Sequence, residues 1–355
     1  SRGRVMPNFP FAFNRLIREH DVVQAHIPML ETWLVGALAH RVDRKMVMTN
    51  HGDLVMPDGL FNQIVQKIVG FMLDRGAASA DVITTHSRDY AEHSAFMRPY
   101  LHKVAAICPT IESERPDAQA VAAWRRELGL EGRPIVGFAG RFVEEKGFDY
   151  LLKAIPHVIE RIPHVVFAYA GEHNVVYENF FGRWQHLFDA YRDHIVMMGL
   201  ITDRQKLANF YAMCDVFALP SRTDCFPSVQ IEAMLCGTPV VASNIPGARQ
   251  AVLRSGMGRL VEPRDERSLA QGLIDVLSSP QEYTRPYELI RAVFDPQRSI
   301  DEYERLFDCL IRGVAFEPAE EVTCSTPSIL PDTLTDDLSI MGRTASSADS
   351  AVAEG

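Results

Sequence analysis

Short apolar runs that alternate with helical stretches are the feature that most constrains the fold of this chain. Nine such runs lie at residues 22–26, 46–50, 82–85, 104–108, 135–139, 165–170, 195–199, 216–219 and 240–243. Strands that are apolar along their whole length are buried on both faces, which happens when helices cover both sides of a parallel sheet. Because 355 residues suffice for about two domains, we predict an α/β protein with two such sheets.

The segment 220–247, PSRTDCFPSVQIEAMLCGTPVVASNIPG, places one carboxylate in an apolar helix. Glu232 is the only charged residue between positions 229 and 236, and burying a carboxylate is costly unless a partner compensates it. Pro227 suits the first helical position, where outward-pointing N–H groups can bind an anion. With Asp224 just upstream, the pattern indicates either a phosphate site whose two acids bind sugar hydroxyls, or a structural Glu232 paired with an arginine elsewhere.

A second segment, GFAGRFVEEKG at 137–147, contributes two cations. The apolar run at 135–139 ends in Gly140 and Arg141, and Lys146 opens the next helical stretch. Ligands of open parallel sheets bind at the carboxyl ends of the strands. Each charge-assisted hydrogen bond to a phosphate contributes roughly 1.5–3 kcal/mol, so the two cations together predict a diphosphate site. Taken singly, each cation is more typical of a solvated surface charge.

These two motifs together resemble the nucleotide-sugar site of the retaining family 4 glycosyltransferases of the GT-B fold. In that α/β fold two Rossmann-like domains with parallel sheets face each other across a cleft. The family pattern is an Arg and a Lys in a GR…KG loop, followed further along the chain by two acidic residues; GRFVEEKG and PSRTDCFPSVQIEAMLCGTPVVAS match it. The resemblance runs from Asp21 to Leu310 and includes AGEH (170–173), MMGLIT (197–202) and CDVFALPS (214–221).

The resemblance implies a role for each matched residue. The donor-binding residues would be Gly140, Arg141, Lys146, Leu200, Ile201, Asp224, Phe226, Ser228, Val229 and Glu232. Within this set Arg141 and Lys146 would hold the diphosphate, Glu232 the ribose hydroxyls and Asp224 the donor sugar, with the base near Leu200 and Ile201. Arg141, Lys146 and Asp224 would also act in catalysis, together with His26.

Three positions depart from the family pattern. Asp224 stands where Glu is usual, so its carboxylate reaches one methylene less far. Pro227 replaces a common Gly and removes one N–H, so Ser228 and Val229 must supply the donors. His173 occupies a position that is commonly Gly, where its ring would either crowd the donor or remain a surface imidazole without a role.

Two histidines are predicted at the cleft, because they end consecutive apolar runs. The resemblance makes His26 a contact to the transferred sugar and His51 an acceptor-side residue. The alternatives are that His26 fills the core and that His51, which precedes Gly-Asp, caps a turn. Nearby, the apolar stripe of the helix predicted at 60–73 indicates either core packing or contact with lipid.

The domain organisation follows from these assignments. Residues 1–110 would form the acceptor-side domain, 111–299 the nucleotide-sugar domain, 300–315 a helix that crosses back to the first domain, and 316–355 a disordered acidic tail. The proline-containing stretch 109–116 would be the linker. The strand that ends in His-x-Pro (DVVQAHIP, 21–28) normally lies much further from the start in this family. We therefore expect the first domain to be incomplete, lacking its opening βα units and the Gly-rich acceptor loop.

Charge and cysteine content limit partners and location. Of the net charge of −10, residues 316–355 carry −7, whereas residues 1–110 carry +2. That balance is too weak for nucleic acid but permits peripheral contact with an anionic membrane. Six scattered cysteines without a CxxC pair are typical of a reduced cytosol. No apolar run reaches the ~18 residues of a membrane span, so we expect a cytoplasmic protein, in contact at most with the inner face of the membrane.

We therefore predict a hexosyltransferase of cell-envelope or polysaccharide biosynthesis that moves a sugar from a nucleoside diphosphate donor to a glycan, lipid or small-molecule acceptor with retention. No cofactor and no metal are expected, because Arg141, Lys146 and the helix end would stabilise the departing diphosphate and the sequence contains no metal-ligand cluster. One alternative is a non-catalytic sugar-nucleotide binder, which Asp224 favours. Another is a nucleotide-dependent dehydrogenase, but GFAGRF lacks the GxGxxG spacing.

Overall fold

The structure is a computed structural model that describes residues 8–54, 59–172, 175 and 180–325. It contains two parallel sheets covered by helices, as predicted. The first sheet has the order β1 (Val22–Ile27), β2 (Lys45–Asn50), β3 (Val82–Thr85), β4 (Val104–Ala106). The second consists of β5 (Ile135–Ala139), β6 (Val166–Ala170), β7 (Ile195–Gly199), β8 (Val216–Leu219), β9 (Val240–Ser243) and β10 (Gly258–Val261).

The helices alternate with these strands. In chain order they are α1 (Phe9–Leu16), α2 (Thr32–Arg41), α3 (Leu60–Ser79), α4 (Arg88–His93), α5 (Ala118–Glu127), α6 (Phe148–Arg161), α7 (Phe180–Ala190), α8 (Arg204–Met213), α9 (Ser228–Leu235), α10 (Arg249–Ser255), α11 (Glu266–Ser278), α12 (Pro280–Tyr283), α13 (Tyr287–Val293) and α14 (Pro296–Arg312). None of the helices in this part of the chain has the length and hydrophobicity needed to cross a membrane.

The second sheet has the spatial order β10-β9-β8-β5-β6-β7. From β5 the chain continues outward through β6 and β7 on one side, and from β8 it continues outward through β9 and β10 on the other. The sheet therefore changes direction between β5 and β8, and ligands of open α/β sheets bind beyond the strand ends at such a point. Both faces are covered, since all five residues of β5 and of β6 are buried.

Strand β10 was missed by the sequence analysis. Its residues, Gly-Arg-Leu-Val, are mostly half-buried because it forms the edge of the sheet. Gly258 has φ +136°, and a Cβ there would lie 2.0 Å from the carbonyl oxygen of Val240. The glycine that weakens the sequence signal is therefore the residue that allows β10 to approach β9.

Helix α14 follows the second sheet in the chain but packs against the first. Leu306 and Leu310 lie in one buried cluster with Val47 of β2 and Ile107. The Tyr303 hydroxyl also donates to Oγ1 of Thr84 in β3 at 3.4 Å. The helix begins at Pro296, four residues before the predicted start, because Asp295 caps it by accepting from the N–H of Gln297 at 3.1 Å.

The structure corrects two expectations about amphipathic and acidic segments. The first part of the predicted acidic tail, 316–325, is not disordered: Arg254 Nε donates to the Val322 carbonyl at 2.9 Å, and the Arg88 N–H donates to Glu321 Oε1 at 3.2 Å. The remainder, 326–355, lies outside the described residues. Helix α3 is only partly core, since Val69 is buried but Ile68 remains 51% exposed.

Candidate functional site

The loops that follow β5 and β8 form the predicted site. These strands are direct neighbours, with Val136 paired to Val216 and Gly137 to Phe217, so their carboxyl ends open beside each other. The loop after β5 carries Gly140, Arg141 and a 3₁₀ turn at Glu144–Lys146. The loop after β8 carries Asp224 and leads into α9. Residues that are far apart in sequence therefore meet at the point where the sheet changes direction.

Lys146 and Asp224 are in direct contact at this point. The Lys146 Nζ donates to Asp224 Oδ2 at 2.5 Å, and both side chains are largely shielded from water. Gly147, with φ +65°, permits the close approach of the two loops, because a Cβ there would lie 1.8 Å from the Pro220 carbonyl oxygen. The Ser221 hydroxyl also points to Asp224 Oδ2, at 3.4 Å.

An ion pair that the sequence analysis missed holds the two loops together. Arg222 donates to both carboxylate oxygens of Asp149, at 2.7 and 2.8 Å, and Asp149 is 1% exposed. Burial alone would lower the pKa of Arg222, but the Asp149 carboxylate raises it. The backbone N–H of Arg222 also donates to the backbone carbonyl of Glu145 at 2.8 Å. The only sequence signal for this ion pair was an acidic residue, Asp149, at the start of α6. Acidic residues are equally typical of the N-terminus of any helix.

Glu232 lies on α9, but the structure corrects two details. The helix begins at Ser228, so Pro227 is the residue that caps it and not its first member. Glu232 is half-buried and not enclosed. Its carboxylate accepts hydrogen bonds from the Tyr211 and Ser228 hydroxyls, each at 2.8 Å. Among the described residues Glu232 forms no ion pair with an arginine, which argues against the structural reading.

The remaining donor-site residues surround these loops. Arg141 is exposed immediately after Gly140, whose N–H donates to the Ala170 carbonyl at 2.9 Å. Val229 and Ile201 both pack on the core cluster that contains α9. Leu200 is 65% exposed after β7, two strands away from β5. His173 lies outside the described residues, so its predicted place is not assessed.

Histidines end three neighbouring strands of the first sheet, and they contact one another in series. His26 Nδ1 lies 2.8 Å from His51 Nε2, and His51 Nδ1 lies 3.2 Å from His86 Nε2. The sequence analysis found His26 and His51 but missed His86, although TTHS follows a strand as TNHG does. The ring of His86 is 6.2 Å from that of Phe226. The histidines therefore face the loop after β8 across the cleft.

Electrostatics differ along this series. Burial lowers the pKa of His51, and the neighbouring His26 lowers it further. Burial also lowers the pKa of His86, and the neighbouring His51 lowers it further, to about 4. His86 is therefore neutral at physiological pH. The described residues contain no group of three or more His, Cys, Asp or Glu side chains placed to hold a metal ion.

The two halves of the chain are also connected beside the site. Arg249 of α10 forms an ion pair with Asp89 of α4, and Gln250 Nε2 donates to Asp89 Oδ2 at 2.9 Å. Cys225, from the loop after β8, is buried in the core cluster of the first sheet. Its Sγ lies 3.8 Å from the Thr85 hydroxyl, and burial raises the pKa of its thiol to about 12. The loop that carries Asp224 is thus seated directly on the first domain.

Comparisons with known proteins identify the class to which this α/β fold belongs. The family model of the group 1 glycosyl transferases matches residues 133–279. The chain is 30% identical to a GDP-mannose-dependent alpha-(1-6)-phosphatidylinositol monomannoside mannosyltransferase of Mycolicibacterium smegmatis, over 78% of this chain and 72% of that protein. It is 31% identical to a D-inositol 3-phosphate glycosyltransferase of Xylanimonas cellulosilytica, over 72% and 63% of the two chains.

Solved structures give the same fold. Anabaena HepE in complex with UDP superposes with a TM-score of 0.69 at 19% identity, over 84% of this chain and 81% of that chain. Sucrose-phosphate synthase from Thermosynechococcus elongatus superposes with a TM-score of 0.69 at 23% identity, over 86% and 78% of the two chains. The chain therefore belongs to the group 1 glycosyltransferases, and its two parallel sheets form a GT-B fold. It is a transferase that moves a sugar from a nucleotide-sugar donor.

Proposed function

We propose that this protein transfers a hexose-type sugar from a nucleoside diphosphate donor to an acceptor with retention of the anomeric configuration. The observation that carries the proposal is the contact between Lys146 and Asp224 where the second sheet changes direction. A cation for the diphosphate and an acid for the sugar then lie a few ångströms apart, as the two parts of one donor require. Glu232, four residues after Ser228 on α9, accepts hydrogen bonds from the ribose hydroxyls.

Charge stabilisation explains how these residues promote the reaction. When the sugar leaves, negative charge develops on the diphosphate. Arg141, Lys146 and the N-terminal end of α9 supply preorganised positive charge for it. The loops are held by the buried pair of Arg222 and Asp149, so this charge does not have to be reorganised during the reaction. With two cations in place, we propose that the step needs no metal ion.

The acceptor is proposed to be lipid-linked, because the first domain has a large exposed apolar face. On α3 the side chains of Leu60, Ile64, Ile68 and Phe71 are exposed by 81, 58, 51 and 60%. Beside them lies a mainly apolar groove of about 360 Å³, lined by Leu30, Glu31, Trp33, Val65, Ile68, Val69 and Met72. Exposed apolar faces of this kind are typical of partner or membrane contact, and the relative from M. smegmatis is named as a phosphatidylinositol monomannoside mannosyltransferase.

Turnover with defined donors tests the transferase proposal. UDP-glucose and GDP-mannose would each be incubated with phosphatidylinositol-type lipids and with soluble sugars, and product formation measured. Arg141→Ala and Lys146→Ala should each weaken binding of the nucleoside diphosphate by roughly 1.5–3 kcal/mol and reduce turnover. Arg44→Ala, a half-exposed cation of the first domain, is the control. Donor binding without turnover on any acceptor would favour the non-catalytic alternative.

A second experiment tests the lipid-facing surface. The double variant Ile64→Glu/Ile68→Glu places two charges on the exposed face of α3. It should lose sedimentation with anionic phospholipid vesicles and raise KM for a lipid acceptor, while nucleotide affinity stays unchanged. Ile300→Glu, at a position that is also exposed but lies on α14, is the matched control. Equal vesicle binding by the wild-type protein, the double variant and Ile300→Glu would show that the acceptor reaches the site without this surface.

A further inference from the structure

The loop that follows β9, residues 244–248, contacts elements of both domains. On one side Gly247 forms a parallel β-bridge with Asp224, which lies in the loop after β8. On the other side the Gly247 N–H donates to Asp89 Oδ2 on α4 of the first domain, at 3.4 Å. A single glycine therefore joins the acid expected at the donor sugar to an acid of the opposite domain.

The approach of this loop to the Asp224 loop requires a glycine. Gly247 is buried and has φ +82°. A Cβ at this position would lie 2.0 Å from the Cys225 carbonyl oxygen and 2.6 Å from that of Asp224. The two backbones are thus in close contact, with no side chain between them. Because packed segments of this kind transmit small displacements, a shift of Gly247 also moves the backbone of Asp224.

The Asp89 carboxylate holds this junction from the first domain. Its Oδ2 accepts from Arg249 Nε at 2.8 Å and from Gln250 Nε2 at 2.9 Å, and its Oδ1 accepts from a second N–H of the Arg249 guanidinium. The Asp89 side chain is only 16% exposed, and His93 Nδ1 lies 3.3 Å from Oδ1. The start of α10 and the Gly247 N–H therefore depend on the same carboxylate.

The side chain and the backbone of Asp224 are held by different domains. Its carboxylate contacts the Lys146 amine at 2.5 Å and the Ser221 hydroxyl at 3.4 Å, both within the second domain. Its backbone is bridged to Gly247, and the next residue, Cys225, is buried in the core cluster of the first sheet. The place from which the carboxylate projects is thus set in part by the first domain.

We propose that Asp89 is a positioning residue for the transfer reaction, which holds Gly247 and, through the β-bridge, keeps Asp224 in place for the donor sugar. The sugar end of the donor site is then complete only when the first domain lies against the second. This role rests on the proposed function of Asp224 as the contact to the donor sugar. The alternative is a clamp that joins the domains without affecting Asp224.

Hydrogen exchange of the full chain, followed by mass spectrometry without substrate, tests the link between the loops. Asp89→Asn keeps the size of the side chain but replaces an acceptor oxygen by a donor group. Exchange of the backbone N–H groups at 222–226 should become faster by about tenfold or more. Exchange at 200–203, in the loop after β7, should stay unchanged. Unchanged exchange at 222–226 would overturn the proposal, as would equally faster exchange in both loops.

A matched control removes another contact of the same helix. Glu321 Oε1 accepts from the N–H of Arg88, the neighbour of Asp89 on α4, at 3.2 Å. Glu321→Gln should leave both exchange at 222–226 and turnover unchanged. If Asp89→Asn fails to fold, Arg249→Lys gives the same exchange test, because an ammonium group cannot donate to both carboxylate oxygens as the guanidinium does. Unchanged exchange at 222–226 in folded Arg249→Lys would overturn the proposal.

Kinetics separate positioning from nucleotide binding. With whichever of UDP-glucose and GDP-mannose supports turnover, Asp89→Asn should lower kcat per folded molecule by about 10- to 100-fold, as expected for a misplaced group at the reacting centre. Affinity for UDP or GDP alone should change by less than about twofold, because Arg141 and Lys146 belong to the second domain. An unchanged kcat would overturn the proposal. A loss of nucleotide affinity as large as the loss of turnover would also overturn it.

A double-mutant cycle shows whether Asp89 acts through Asp224. In the Asp224→Asn background, Asp89→Asn should lower kcat by less than about threefold, since the carboxylate that it positions is already absent. An equal fall in both backgrounds would mean that Asp89 acts independently of Asp224 and would overturn the proposal. If the wild-type protein transfers no sugar at all, the proposed function fails, while the exchange result still decides whether Asp89 holds the Asp224 loop.

Discussion

Lys146 Nζ lies 2.5 Å from Asp224 Oδ2, so two residues expected to bind different parts of the donor contact each other directly. Their side chains are 20% and 11% exposed. A charge-assisted hydrogen bond in such a setting contributes roughly 1.5–3 kcal/mol. The pair therefore does two things: it fixes Lys146 near the predicted phosphate position, and it offsets part of the positive charge that a diphosphate would meet.

Asp224→Asn should separate these two effects. Removing the carboxylate frees Lys146 and removes a negative charge beside the diphosphate, so affinity for UDP or GDP alone should rise by about 1 kcal/mol. Turnover should fall, because the hydroxyl groups of the donor sugar lose a charged hydrogen-bond acceptor. Calorimetry and product formation measure the two quantities. Glu145→Gln is a matched control, since Glu145 Oε1 lies 3.6 Å from the same amine but is more exposed. Weaker nucleotide binding by Asp224→Asn would contradict this account.

Glu232→Gln should weaken nucleotide binding without unfolding the protein. The carboxylate accepts from the Tyr211 and Ser228 hydroxyls, and an amide oxygen can keep only part of that pattern. We expect a loss of roughly 1–3 kcal/mol in affinity for the nucleoside diphosphate, with a small change in Tm. Burial, and then the Glu232 charge, raise the pKa of Tyr211, so Tyr211→Phe removes a neutral donor and should cost less.

The opposite pattern would support the structural reading of Glu232. A large fall in Tm together with unchanged nucleotide affinity per folded molecule would mean that the carboxylate serves packing and not binding. Calorimetry on protein whose folded fraction has been measured distinguishes the two outcomes.

Asp89→Asn should loosen the contact between the two domains. Burial alone would raise the pKa of Asp89, but hydrogen bonds from Arg249 and Gln250 hold it below its ordinary value. The charged form is therefore stabilised in the folded protein, and this contribution is lost as pH falls through the lowered pKa. We expect the free energy of unfolding to fall by about 1–3 kcal/mol, measured by denaturant titration at pH 7.

An exposed ion pair is the control for that experiment. Arg44 Nη1 lies 3.6 Å from Asp21 Oδ1, and the Asp21 side chain is 69% exposed. Asp21→Asn should therefore change stability by less than about 1 kcal/mol. An equal effect of both variants would mean that the contact between Asp89 and Arg249 makes no special contribution.

His86 should make the stability of the protein depend on pH. Its pKa is lowered to about 4 by burial and by His51, against about 6.5 in an unfolded chain. Between these values the unfolded state binds more protons, so stability is full above about pH 6.5 and falls as pH drops towards about 4. The loss is on the order of 3 kcal/mol. In His86→Phe the slope of denaturation midpoint against pH should be reduced, and an unchanged slope would refute the assignment.

The sequence predicted most of the fold because its strands are buried on both faces. A run such as Ile135–Ala139 carries that information in five neighbouring residues, all of which the structure buries. The edge strand β10 carries less, since Arg259 and Leu260 are only half-buried. Family resemblance could likewise mark Arg141, Lys146, Asp224 and Glu232, because each lies in a short motif next to a strand end; their roles remain predictions.

Contacts between distant segments were decided by the tertiary structure alone. Lys146 meets Asp224, 78 positions away, because β8 pairs with β5, and no local pattern specifies which strands become neighbours. Arg222 reaches Asp149 across 73 positions for the same reason. Local chemistry thus determined which side chains end each strand, whereas strand order, which depends on packing of the whole sheet, determined which of them touch. The series of His26, His51 and His86 exists only because three successive strands also became adjacent in space.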